Sequence, residues 1–270
     1  MIPVFLKMPF LDMASTVWAM PEEQWIDDSP TLKDTELLLK EAQGESQIDE
    51  INLREQMIQK WKAEEVSLFV RELPGRTRLV FLGTVEQWNE IPWTLWSRIM
   101  QAMSEPVKHI LFYAHPLKRE FPSDGATIKA SNMNAGYSYL CQKSLVVVYR
   151  FEEATRVLLH ELLHTACFDN GKDTEDLEAS TEAWTEILLC ALLSKGSIKK
   201  FNQLWLKQCE WIVGQTALLR GQHKVHTRND YAWRYTVGKH LKLIEMGLMV
   251  KCKPYSNPGL RFTTPEWDLV

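Results

Sequence analysis

The chain carries His160-Glu161-Leu162-Leu163-His164, an H-E-x-x-H pattern, inside the run Ala154 to Cys167. Positions four apart stack on one face of an α-helix, because a turn takes about 3.6 residues. His160 and His164 can therefore aim two imidazoles at one ion, with Glu161 beside them. Neutral imidazole nitrogen binds zinc at about 2.0–2.1 Å, and a catalytic zinc keeps one position for water. Val157, Leu158, Leu159, Leu162, Leu163 and Ala166 make the helix otherwise strongly apolar. A glutamate and two histidines are costly to bury there unless they are paired or hold a metal. The bland alternative is a buried helix that carries the three by accident.

A second helix is expected over Leu177 to Leu193, with Glu178, Glu182 and Glu186 one turn apart. Asn170-Gly171 reads as the stop of the first helix, and Asp173 or Thr174 as the N-cap of the second. So short a connection makes the two helices an antiparallel pair. His164 then lies about one turn from the end of the first, and Glu178 about one turn into the second. Glu178 can complete a His, His, Glu site. Glu182, on the same face, can accept a hydrogen bond from a ligand histidine, a partner that metal-bound histidines usually have.

These two segments resemble the gluzincin branch of zinc metallopeptidases, whose familiar member is thermolysin. The resemblance covers roughly residues 130–195 and rests on H-E-x-x-H followed by Glu178-Ala-Ser-Thr-Glu182. It implies a zinc ion held by His160, His164 and Glu178, with Glu182 as the supporting carboxylate. The stretch between His164 and Glu178 is short for this branch. Glu182 as ligand with Glu186 as support therefore stays open, in the manner of the E-x-x-x-D form. The implied activity is hydrolysis of an amide bond in a peptide or protein substrate. Glu161 is the implied general base. The branch often supplies an oxyanion-stabilising His, Tyr or Arg from a later segment. Tyr231 and Tyr235 are the candidates carried forward, with Arg234, His223 and His226 as alternatives.

The fold class expected is α+β and zincin-like. It comprises a small mixed sheet with an antiparallel edge strand on the active-site helix, then a mainly helical C-terminal half. Arg78–Leu82, His109–Tyr113 and Ser144–Tyr149 read as strands, the last continuous and β-branched as in a buried strand. The more polar Ser131–Leu140 contains Gly136, which suits an edge strand that another backbone approaches. By the same resemblance, substrate adds to that edge as a strand, through Asn134, Ala135 and Gly136. Residues 51–70 read as a helix, and helices are expected over Pro92–Met103, Lys199–Leu219 and Asn229–Met249.

Residues 1–50 are expected as an irregular arm and linker, with a short helix from Thr31 to Ala42. Residues 51–270 are expected as one metallopeptidase domain: a sheet part over 51–168, a helical part over 169–253 and a coil tail over 254–270. A net charge of −4 gives no general attraction to nucleic acid or anionic membrane. No segment approaches the roughly 20 apolar residues that span a bilayer. Pro3 and Pro9 interrupt the apolar N-terminus, which does not read as a signal peptide. The eleven tryptophans read as core packing. Five cysteines, an odd number without C-x-x-C, read as reduced thiols of an intracellular, cytoplasmic protein. Cys167 reads as a small apolar residue of the motif helix. Two rival functions accompany the peptidase reading: a catalytically inactive zincin-fold binding protein, and a helical interaction protein with a chance H-E-x-x-H.

Overall fold

The computed structural model describes residues 4–44, 48–103, 106–123, 126–168 and 173–269. The chain begins with α1 (Val4–Ala19), β1 (Ile26–Asp28), α2 (Leu32–Gln43), α3 (Leu53–Lys62), β2 (Ser67–Leu73) and β3 (Thr77–Gly83). Next come α4 (Val85–Glu90), α5 (Trp93–Ala102), β4 (His109–Tyr113), α6 (Ala130–Met133), β5 (Gly136–Ser138) and β6 (Leu145–Val148). Helices α7 (Ala154–Thr165), α8 (Thr174–Leu193) and α9 (Ile198–Gln222) follow. The chain then makes a 3-10 turn (Tyr231–Trp233), a π-helical turn (Arg234–Gly238), α10 (Lys239–Glu245) and a last 3-10 turn (Pro265–Leu269). The architecture is α+β, with a small mixed sheet and a helical C-terminal half. The helix stop expected at Asn170-Gly171 lies outside the described residues.

The chain forms two compact units, Glu22–Lys118 with Asn134–Phe168, and Met1–Pro21 with Arg119–Met133 and Asp169–Val270. Residues 1–50, expected as an irregular arm, contribute α1 to the second unit and β1 and α2 to the first. Pro9 sits inside α1; it costs one intrahelical bond, yet its fixed φ is helical.

The first unit is built on a six-stranded sheet of order β1-β2-β3-β4-β6-β5. β3, β4 and β6 run parallel, while β1, β2 and β5 pair antiparallel with their neighbours. β2 corrects the expectation of one helix over 51–70. The helix ends at Lys62, and Ser67–Leu73 pairs residue for residue with β3 across the Pro74-Gly75 turn. Val66 and Leu68 match helical spacing, but pairing with β3 along Ser67–Leu73, and with β1 at Val70–Glu72, outweighs it. Alternate side chains then face opposite ways. Val80, Leu82, Leu111, Tyr113, Tyr137, Val147 and Tyr149 pack with Leu38 of α2 and Leu53, Met57 and Ile58 of α3. Phe81 and Phe112 point to the other face, where Trp96 of α5 stacks on Phe112 and donates to Thr155 of α7 at 2.8 Å. Trp88 and Trp93 join the same aromatic cluster, in keeping with tryptophan as core.

β5 is the last strand in the order and runs antiparallel to β6, with Gly136 opposite Val148 and Ser138 opposite Val146. The edge strand thus stands where the sequence places it. α7 follows β6 and packs on β5 and β6.

In the second unit α8 is central. Its N-cap is Asp173, whose carboxylate accepts from the amide of Asp176 at 2.9 Å. α1, α9, α10 and the π-helical turn all pack against it. Ala179 lies in a core with Met133, Leu219, Trp233, Val237 and Phe262. Gly238 is required by that packing: a Cβ there would stand 2.7 Å from the Trp233 ring and 3.0 Å from the Ala179 Cβ. The segment Asn229–Met249, expected as one helix, changes pitch twice instead. The tail, expected as coil, closes with the turn at Pro265–Leu269. No helix among the described residues is long and apolar enough to cross a membrane.

Candidate metal centre

The sequence-derived site residues fall in both units. In the sheet unit, α7 presents His160, Glu161 and His164, all buried. The Nε2 atoms of the two histidines lie 2.9 Å apart, with rings edge to face at 82°. Two ligands of a tetrahedral zinc at about 2.05 Å would stand about 3.3 Å apart, close to the spacing here. Two imidazole nitrogens suit a borderline cation, and 2.9 Å is also the length of an N–H···N hydrogen bond between the rings.

Glu161 is held from the edge strand. The Ser138 hydroxyl lies 2.8 Å from Glu161 Oε2 and 3.1 Å from the Glu161 carbonyl oxygen. Gly136 lets the helix come this close: a Cβ there would be 2.6 Å from Val157 Cγ1 and 2.7 Å from the Val147 carbonyl oxygen. Ser138 went unnoticed in the sequence. The signal available was its place two residues after Gly136, hence on the same face of the strand.

The other edge-strand candidates are engaged within the unit. Asn134 donates from Nδ2 to the Ile48 carbonyl at 3.1 Å, and its own carbonyl accepts from Arg150 Nε at 2.8 Å. The Ala135 carbonyl accepts from the Tyr149 amide at 2.7 Å. Gly136 sits in the β5–β6 ladder.

The expectation of five reduced thiols is corrected by a disulfide between Cys141 and Cys167, whose Cα atoms are 4.7 Å apart. Cys190, Cys209 and Cys252 are free. Nor is Cys167 part of the motif helix. α7 ends at Thr165, and Cys167 takes a left-handed φ of 55°. The amides of Cys141 and Cys167 both donate to the His164 carbonyl, at 3.0 and 3.2 Å. The end of α7 is thereby tied to the turn after β5.

In the helical unit, Glu178 lies half-buried in α8. Burial, and then the Glu178 charge, push the Tyr235 phenol well above its ordinary range, so that it stays a proton donor. Tyr231 brings its hydroxyl to 3.4 Å from that of Tyr235. Tyr231 and Tyr235 therefore lie together, with the Arg234 guanidinium 5.1 and 5.8 Å from their ring centroids. Arg234 is committed to Glu175 at 2.9 Å, His223 stacks on Phe121, and the His226 amide donates to Asp230.

Glu182 and Glu186, one and two turns further along, are fully buried. Lys239, absent from the sequence-derived set, lies 2.7 Å from Glu186 and 3.9 Å from Glu182. Gln208 donates to the second oxygen of Glu186 at 2.7 Å. Glu178 thus lies near the Tyr235 phenol, and Glu182 near the buried Lys239 ammonium. Comparison of the chain with protein-family models, curated proteins and solved structures returned no match.

Proposed function

We propose that the chain is a zinc-dependent metallopeptidase of gluzincin type that hydrolyses peptide bonds in a peptide or protein substrate. The observation that carries this reading is the His160–His164 pair, with Nε2 atoms 2.9 Å apart on a buried helix that also holds Glu161. Buried imidazoles and carboxylates are seldom gathered this way without a ligand or a proton to share.

His160, His164 and Glu178, the ligand set that the resemblance implies, would hold the ion. Zinc, when bound, polarises a water and the scissile carbonyl. Glu161 takes a proton from that water as its oxygen attacks the carbonyl carbon, then delivers it to the leaving amine nitrogen as the C–N bond breaks. Tyr231 and Tyr235, both hydroxyl donors, stabilise the oxyanion, a contribution worth several kcal/mol in typical cases (about 2.7–4 for one donor). Glu182, with Lys239 behind it, is the supporting carboxylate.

The test is metal content together with turnover. Purified protein should hold one zinc per chain and cleave members of a quenched-fluorescent peptide library. Glu161→Gln should keep the zinc and lose the cleavage. Zinc retained with no cleavage by the wild type would leave a metal-binding protein without peptidase activity. No zinc at all would return the motif to chance.

A further inference from the structure

Ser138 is a polar residue of β5 on the face of the sheet that α7 covers. Strand β5 alternates: Tyr137 points into the core with α2 and α3, while Gly136 and Ser138 point to α7. The glycine lets the helix settle on the strand. Two residues on, the serine meets the helix with its hydroxyl at Glu161. A hydroxyl has one hydrogen, and the carboxylate oxygen at 2.8 Å is the closer and more strongly charged acceptor. The strand that carries Ser138 is fixed by its register with β6, and the turn after it is tied to α7 through the Cys141 amide and the disulfide.

We infer that Ser138 is a positioning residue for hydrolysis: its hydroxyl holds Oε2 of Glu161 so that Oε1 faces the water to be deprotonated. The inference rests on the peptidase reading above. A carboxylate gripped at one oxygen cannot turn about its Cγ–Cδ bond, so the other oxygen keeps one direction. The proton balance is simple. A water O–H bond breaks and an Oε1–H bond forms; that proton later passes to the amine nitrogen. Ser138 keeps its own proton throughout.

The experiment compares the full-length, zinc-loaded wild type with S138A, S138T and E161Q. Zinc content, thermal midpoint, kcat and KM on the peptide library, and calorimetric affinity for acetohydroxamic acid are measured. The hydroxamic acid is chosen because it gives up a proton as it binds a metal, so Glu161 is needed without any turnover. S138A should lower kcat about tenfold with KM, zinc content and thermal midpoint unchanged, as for loss of a supporting hydrogen bond. Hydroxamate affinity should fall in parallel, and S138T, which keeps the hydroxyl, should restore both. Unchanged kcat and hydroxamate affinity in S138A would overturn the inference. So would a loss that comes with zinc loss or a lower melting point and is not rescued by S138T. Zinc and hydroxamate binding without peptide cleavage would remove the peptidase reading, while the hydroxamate series still decides the role of Ser138. A wild type that binds no zinc would remove both.

Discussion

The Nζ of Lys239 lies 2.7 Å from Oε1 of Glu186, and neither side chain reaches solvent. The pair is completed by Gln208 on the other oxygen and by Glu182 at 3.9 Å. Two carboxylates and one ammonium in a dry core are tolerable only as a set. Lys239→Met should therefore destabilise the fold by about 3–5 kcal/mol, because it leaves buried negative charge uncompensated. Lys239→Met combined with Glu186→Gln should cost clearly less. Urea denaturation of the three proteins checks this; a single variant no worse than the double would contradict it.

The disulfide gives a second prediction. Cys141 and Cys167 are separated by 26 residues. Closing a loop of that size constrains the unfolded chain by about 3–4 kcal/mol in the chain-entropy account. Reduction, or the double change Cys141→Ser and Cys167→Ser, should lower stability by up to that amount. Thiol labelling of denatured, unreduced protein should mark Cys190, Cys209 and Cys252 alone. Labelling of all five cysteines would show the bond unformed.

Asp34 supplies the pH dependence. Its carboxylate takes both Nε and Nη2 of Arg78 at 2.8 Å. Burial would raise this carboxyl, but the hydrogen bonds from Arg78 and Thr31 outweigh it and hold the group at about 2, against an ordinary 3.8. The folded value is below the unfolded one, so the stabilisation is present above about pH 4 and lost as pH falls towards 2. Its size is about 2 kcal/mol. Asp34→Asn should be less stable than wild type at neutral pH, and the gap should close across that acid window. Urea midpoints at several pH values measure it; a constant gap would exclude the linkage.

The parts of the fold that were legible in the sequence are those where local pattern and tertiary demand agree. Leu145–Val148 is β-branched and buried, and α7 has an apolar helical face, so both were readable. Gly136 marked the edge strand because close backbone approach needs glycine. β2 was misread because Val66 and Leu68 continue the helical spacing of α3, and only pairing with β3 decides against it. Cys141 and Cys167 meet only once β5 lies on α7, which no spacing rule supplies. Lys239 stands 53 residues from Glu186, and the π-helical turn before it alters the phase that a regular helix would have given. Ser138 became informative only when its side of the strand was known.

The last prediction separates Glu178 from Glu182 as the third ligand. In their own unit the two carboxylates have different surroundings. Glu178 is half-buried beside the Tyr235 phenol, while Glu182 is buried and shares Lys239 with Glu186. A carboxylate already facing a buried ammonium is the poorer ligand and the better support for a histidine. Glu178→Ala should therefore lose zinc at purification. Glu182→Ala should keep most of its zinc and lose activity, with metal affinity weakened within the roughly 10–100-fold range of a supporting partner. It should still fold, because Glu186 remains 2.7 Å from Lys239. Metal content after gel filtration and chelator competition give the readout. Zinc lost from Glu182→Ala but retained by Glu178→Ala would reverse the assignment, make Glu186 the supporting carboxylate, and leave the peptidase proposal standing.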